Sequence, residues 1–194
     1  MPEIKIKHRT FEIIEEISEN EFIATRKGKK YFINKFVPGS EAGLELCYSC
    51  LRIYSAAVKA PMLYLTDKKG GYIVREYIEG GEKLIDIISK EELSEDIYKQ
   101  LFFNAGLAKR SKITINYEPD KWVLKDGTLY YVYPHFIEYD EEKDLIKRYL
   151  RLWFNTKELV QFLSKNGRTF DKNRLKDEYT TNKEIVLMTI KHYR

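Results

Sequence analysis

Residues 113–136, ITINYEPDKWVLKDGTLYYVYPHF, decide how this chain is read. Ile113–Thr114–Ile115 is expected to end a helical region. The polar turn Asn116–Asp120 follows, with Pro119 fixing one φ and biasing Glu118 toward extended backbone. Trp122–Val123–Leu124 makes a short apolar strand. Lys125–Asp126–Gly127–Thr128 reads as a hairpin turn, because Asp-Gly readily takes the positive φ such turns need. Leu129–Tyr133, aromatic and β-branched, is the return strand, so the hairpin spans 122–133. A second loop opens at Pro134.

Outward from this stretch, a β-rich first half precedes a helical second half. Phe11–Ser18, Glu21–Lys27 and Tyr31–Val37 are three strands, bent at Glu19-Asn20 and around Gly28. Pro38-Gly39 breaks the sheet, and Ser40 caps a helix to about Ala57. Leu44, Cys47, Leu51, Tyr54 and Val58 recur at helical spacing and predict its apolar face. Met62–Thr66 and Tyr72–Ile78 complete five strands. Beyond Glu79-Gly80-Gly81 the chain turns helical: a short helix over 83–88, a longer one from Ser94 to about Lys109, one from about Asp140 to Phe154, another over 156–163, and a terminal helix from Thr181 or Asn182.

Composition bounds the function classes. The chain has 194 residues, enough for a real core. No run approaches the length of a membrane span. MPEIKIKHRT has no apolar signal region, so secretion is not expected and a cytoplasmic location is. Thirty-four basic against thirty acidic residues leave +4, with the charges interspersed along the chain. A dedicated nucleic-acid binder would show a concentrated basic face. The Lys, Glu, Ile and Tyr richness, with two glutamines, is thermophile-like. Cys47 and Cys50 are spaced C-x-x-C, but His8, His135 and His192 are isolated, so two buried core thiols are expected rather than a zinc site.

The loop–hairpin–loop pattern resembles that of protein-kinase-like folds, especially the compact atypical and small-molecule kinases. The meander, the helix, Val58–Pro61, the strand pair and the hinge-like Glu76-Tyr77-Ile78-Glu79-Gly80 occur in that family's order. The resemblance covers about residues 10–165. It implies an α+β fold of two lobes: an antiparallel five-stranded N-lobe with one helix (1–81) and a mainly helical C-lobe containing the hairpin (82–194). It assigns cofactor contacts to Lys35, Glu45, Glu76, Ile78 and Val123. It also puts Asn116 at the catalytic acid position, and Lys121 and Tyr133 at the two metal-ligand positions.

Phosphoryl transfer needs a phosphate cradle, a cation, metal ligands and a group that orients the nucleophile. The turn where the family has glycines is Ser18-Glu19-Asn20-Glu21, and its carboxylates repel phosphate. Side chains alternate on a strand, so only one of Asn34 and Lys35 faces a cleft. Lys35 would pair with Glu45, or with Glu41. Tyr133 cannot replace an aspartate as a Mg²⁺ ligand at neutral pH. Asp120 is the nearest acid, while Glu138 and Asp140 suit the start of the next helix. His135 is a general base by residue type alone.

The expectation is therefore a pseudokinase-like binding or regulatory module without efficient phosphoryl transfer and with no assigned metal. ATP bound without Mg²⁺ is the cofactor it leaves open. A protein is the expected partner, with nucleotide as the second; nucleic acid and membrane are not expected. Two alternatives stand: an atypical ATP-dependent kinase using Lys35, Glu45 and Asp120, and an unrelated α+β nucleic-acid-binding or interaction protein.

Overall fold

Short bends between strands organise the first part of the computed structural model, which describes residues 2–193. β1 (Glu3–Ile6), β2 (Arg9–Ser18), β3 (Glu21–Arg26) and β4 (Lys29–Lys35) form a meander. After α1 (Glu41–Ser55) come β5 (Leu63–Asp67) and β6 (Tyr72–Glu76). The sheet is antiparallel, in the order β1-β2-β3-β4-β6-β5. It has six strands where five are expected from sequence. The additional one is β1, whose bend to β2 carries no glycine, asparagine or proline; Lys7 itself takes a φ of 54°. The sheet curls far enough for Lys7 Nζ to donate to the Thr66 carbonyl on β5 at 2.8 Å.

One face of the sheet packs Phe11, Phe22, Ala24, Tyr31, Ile33 and Val74 into a core. The other face receives α1, where Cys47 and Cys50 meet Ile73. The Ser40 hydroxyl accepts the Gly43 N–H at 3.2 Å, which makes it the expected cap. The face of α1 differs from the expected one. Gly43, Cys47, Cys50 and Ile53 are buried, whereas Leu44, Leu51 and Tyr54 are exposed and Val58 lies beyond the helix end. Close approach explains the rotation. A Cβ at position 43 would lie 2.0 Å from the Phe36 ring, so the smallest residues have to face the sheet. Both thiols are buried, as expected, and burial pushes their pKa values up.

The chain divides into two units, the first running through Ser55 and resuming over Ala60–Glu79, the second comprising Ala56–Lys59 and the remainder from Gly80. In the second unit β7 (Glu82–Lys83) leads into α2 (Leu84–Lys90) and α3 (Glu95–Arg110). β8 (Ile113–Ile115), β9 (Trp122–Lys125), β10 (Thr128–Tyr131) and β11 (Phe136–Glu138) follow, then α4 (Lys157–Lys165) and α5 (Glu178–His192). The strands form the small sheets β10-β9-β7 and β11-β8. The chain is a mixed architecture, an antiparallel sheet followed by several helices.

Trp122 and Trp153, both fully buried, anchor this unit edge to face at 5.9 Å. The single helix expected from Asp140 to Phe154 is instead a run of short non-α turns over 141–153. Buried Asp144 breaks it. Its carboxylate accepts the Leu145 N–H and the hydroxyls of Tyr139 and Tyr193, which requires extended backbone at ψ 164°. Likewise α5 starts earlier than expected, because Asp177 supplies the cap through Thr180 N–H.

Candidate functional site

Ile113–Ile115 is a fully buried strand rather than a helix end. The three β-branched residues Ile113, Thr114 and Ile115 suit a strand, and Phe136–Glu138 supplies its partner, in the register Ile115↔Phe136 and Ile113↔Glu138. This pairing brings the loops 116–121 and 132–135 side by side. Their tie is a phenol: the Asn116 N–H donates to the Tyr131 hydroxyl at 3.2 Å, and that hydroxyl donates to the His135 carbonyl at 2.8 Å. Burial holds the Tyr131 phenol far above its ordinary pKa, so it remains a donor.

The first loop closes on itself. Asn116 Oδ1 accepts the Glu118 N–H at 2.8 Å, and its amide donates to Glu118 Oε2 at 3.0 Å. Buried Pro119 opens a 3₁₀ turn that ends at Lys121. Lys121 Nζ lies 2.5 Å from Asp120 Oδ2 and 5.0 Å from the centre of the Tyr133 ring. Burial works against the ammonium, but the bond to Asp120 and the charges of Asp120 and Glu118 outweigh it, so its pKa is raised. Among the described residues the other oxygen, Asp120 Oδ1, is buried without a hydrogen-bond partner. Tyr133 is exposed and touches His135 ring to ring at 4.6 Å.

Lys121, Asp120 and Tyr133 are thus brought together, with Asn116 held in the same loop by Glu118. Val123 is half-buried on β9, between Tyr130 and Lys83. Glu138 ends β11 rather than starting a helix, and Asp140 caps the 141–143 turn through Glu142 N–H. Glu118, Asp120 and Lys121 also form one wall of an open cavity of about 460 Å³. Its opposite wall is α4, through Glu158, Gln161, Phe162 and Lys165. Sequence reading missed those four. Their signal was the i, i+3, i+4, i+7 spacing on a helix whose other face, Leu159 and Leu163, is buried.

In the first unit, Lys35 is exposed, and no ion pair joins it to Glu45 or Glu41 among the described residues. Asn34 occupies the buried position. Its amide donates to Glu21 Oε1 at 3.1 Å, and its oxygen accepts from Arg75 at 2.9 Å. The Ser18–Glu21 bend carries Glu19 and Asn20 exposed, with Glu15 and Glu16 exposed before it. At the hinge-like segment, Glu76 is tied to Met62 twice, by its N–H to the Met62 carbonyl at 2.8 Å and by its carboxylate to the Met62 N–H at 3.1 Å. Ile78 follows in irregular, half-buried backbone.

The donor set does not fit Mg²⁺. A hard dication wants several oxygens; of the loop's two carboxylates, Glu118 is engaged by Asn116 and Asp120 already holds an ammonium that would repel it.

No family model matches the sequence, and no curated protein matches it. Among solved structures, the choline kinase LicA from Streptococcus pneumoniae is similar at 18% identity, over 93% of this chain and 80% of that one, with a TM-score of 0.46. LicA in complex with AMP is similar at 17%, over 94% and 79%, with a TM-score of 0.45. The resemblance concerns chain path and says nothing of chemistry.

Proposed function

We propose that this chain is a kinase-like scaffold that has lost phosphoryl-transfer chemistry and works as a binding or regulatory module, with a protein as its principal partner. One observation carries the reading: Lys121 lies against Asp120 and over the ring of Tyr133. In the resemblance, Lys121 and Tyr133 stand where metal ligands belong. An ammonium neutralises the neighbouring acid in place of a metal, and a phenol offers no anionic oxygen at neutral pH. Catalysis in such sites rests on positioned positive charge at the transferring group, and a metal is its largest source.

Two features of the first unit support the same reading. The bend that would cradle phosphates carries Glu19 and Glu21, and Glu21 is engaged with Asn34. Lys35 stands exposed, apart from Glu45. Any nucleotide binding in this scaffold is metal-independent, with Lys121 as the cation.

The test measures ATP affinity and turnover together, in Mg²⁺ and in chelator. The expected result is no turnover, and any binding unchanged by chelator and lost in Lys121→Ala. Mg²⁺-dependent turnover at roughly 1–100 s⁻¹, abolished by Asp120→Ala, would overturn the reading in favour of an atypical kinase.

A further inference from the structure

We infer that the end of the first unit's sheet carrying Lys7, Arg9, Arg26, Lys27 and Lys29 binds a nucleic-acid phosphodiester backbone without base selection. Along the sequence these residues belong to two separate turns, KHR and RKGK, each readable as ordinary solvated surface. The meander makes them neighbours. β2 pairs with both β1 and β3, so the 7–8 bend and the 27–28 bend emerge from the same end of adjacent hairpins. At the opposite end lie Glu15, Glu16, Glu19 and Glu21. Within β2 and β3 the charges are therefore sorted by topology, basic residues at one end and acidic residues at the other, while across the rest of the sheet Lys35 joins the second end and Glu76 the first.

The basic end is built rather than merely populated. Tyr64 on β5 sits between two guanidinium groups: Arg26 donates to its hydroxyl at 3.1 Å, and Arg9 lies 4.7 Å from its ring centre. Lys7 is fixed to the Thr66 carbonyl on the same strand. None of these five cations has a carboxylate partner among the described ion pairs, whereas the adjacent Lys30 does, in Glu79. Lys7 and Lys27 hold φ values of 54° and 52°, a conformation that glycine or asparagine adopts more easily. Both bends thus place lysine where the backbone would prefer another residue.

The surface suits phosphodiester better than a lipid interface. The bend residues are Lys7-His8 and Lys27-Gly28, and neither pair offers the apolar side chain that inserts among acyl chains. Contacts to phosphate alone position a nucleic acid without reading its sequence.

The test is fluorescence anisotropy with a labelled oligonucleotide of about 20 nucleotides, single-stranded and duplex, between about 50 and about 200 mM salt. Five phosphate contacts predict a slope of log affinity against log salt of about −3.5 for the single strand and about −4.5 for the duplex. The variant Lys7→Asn/Lys27→Asn/Lys29→Gln should lower the single-strand slope magnitude by about 2. Asparagine keeps the left-handed bends, so the fold should survive. If that variant melts early, Lys29→Gln alone carries the test at a change of about 0.7. A control, Lys90→Gln/Lys99→Gln/Lys183→Gln, removes the same net charge elsewhere and should leave the slope unchanged. Absence of binding at low salt, an unchanged slope in the first variant, equal losses in the control, or binding to anionic vesicles but not oligonucleotides would each overturn the inference. None of these results depends on whether ATP binds.

Discussion

Arg75 on β6 donates to the side-chain oxygen of Asn34 on β4 at 2.9 Å, and the pair is buried on the sheet face that α1 covers. The guanidinium also lies 5.3 Å from the Phe32 ring centre. Burial lowers the Arg75 pKa while Cys50 and Glu21 raise it, and arginine stays charged regardless. A cation is thus held inside the sheet by an amide, with Glu21 next in the chain of bonds.

Removing the amide leaves that cation short of an acceptor. Asn34→Leu should destabilise the protein by about 2–4 kcal/mol in urea denaturation. Asn34→Leu/Arg75→Met should recover part of the loss, because an apolar pair needs no hydrogen bonds. A double variant as unstable as the sum of the singles would show that the two residues are not coupled.

Tyr131→Phe removes the hydroxyl that joins the two loops of the candidate site. The Asn116 N–H and the His135 carbonyl each lose a partner, at a cost of about 1–2 kcal/mol. Trp122 packs 5.1 Å from the Tyr131 ring, so intrinsic fluorescence reports whether the hairpin itself stays in place. Unchanged stability would mean that the loops hold together without this hydroxyl.

Two glycines with similar backbone angles should respond differently to alanine. At Gly28, φ is +73° and the space is open, so Gly28→Ala should cost about 1 kcal/mol of left-handed strain. At Gly71, φ is +78° and a Cβ would lie 2.1 Å from the Phe36 carbonyl oxygen. Gly71→Ala should therefore cost several-fold more, read as a drop in melting temperature. Equal effects would refute the close approach.

Alkaline pH should unfold the protein progressively. Cys47, Cys50, Tyr98, Tyr117 and Tyr131 all have pKa values raised by burial. Above about pH 8.5, the unfolded thiols lose protons that the folded ones keep, and the phenols follow near pH 10. The unfolded state then binds fewer protons than the native state, so stability falls as pH rises. Their contribution is complete below the unfolded pKa values. The urea midpoint, followed from pH 7 to pH 10.5, should decline over the upper part of that range; a flat profile would contradict the burial.

Where local chemistry dictates structure, the sequence was legible. Asp126-Gly127 turns the hairpin and Ser40 caps α1. What escaped was decided at long range. Ile113–Ile115 is a strand because Phe136–Glu138 lies beside it; its β-branched residues permit a strand but do not name that partner. The apolar spacing of α1 pointed to Leu44 and Leu51, but close approach to Phe36 favoured the small residues. Asp144 looks like a helix-compatible acid until two tyrosine hydroxyls claim it. At the candidate site the residue types were readable. Lys121 resting on Tyr133 was not, because it needs the geometry of the second loop.

The pairing of β8 with β11 confines the loops and hairpin of the site to one continuous stretch, Ile113–Glu138. Closing so short a segment needs little chain entropy, since that cost grows with the length enclosed. The last helix is placed differently: His192 reaches Glu95 across 97 positions, and Tyr193 reaches Asp144 across 49. In the order of assembly, the site's framework can form as soon as its own residues exist, while α5 must wait for nearly the whole chain. On gentle destabilisation that order reverses, with α5 detaching first and the loop–hairpin module persisting after it.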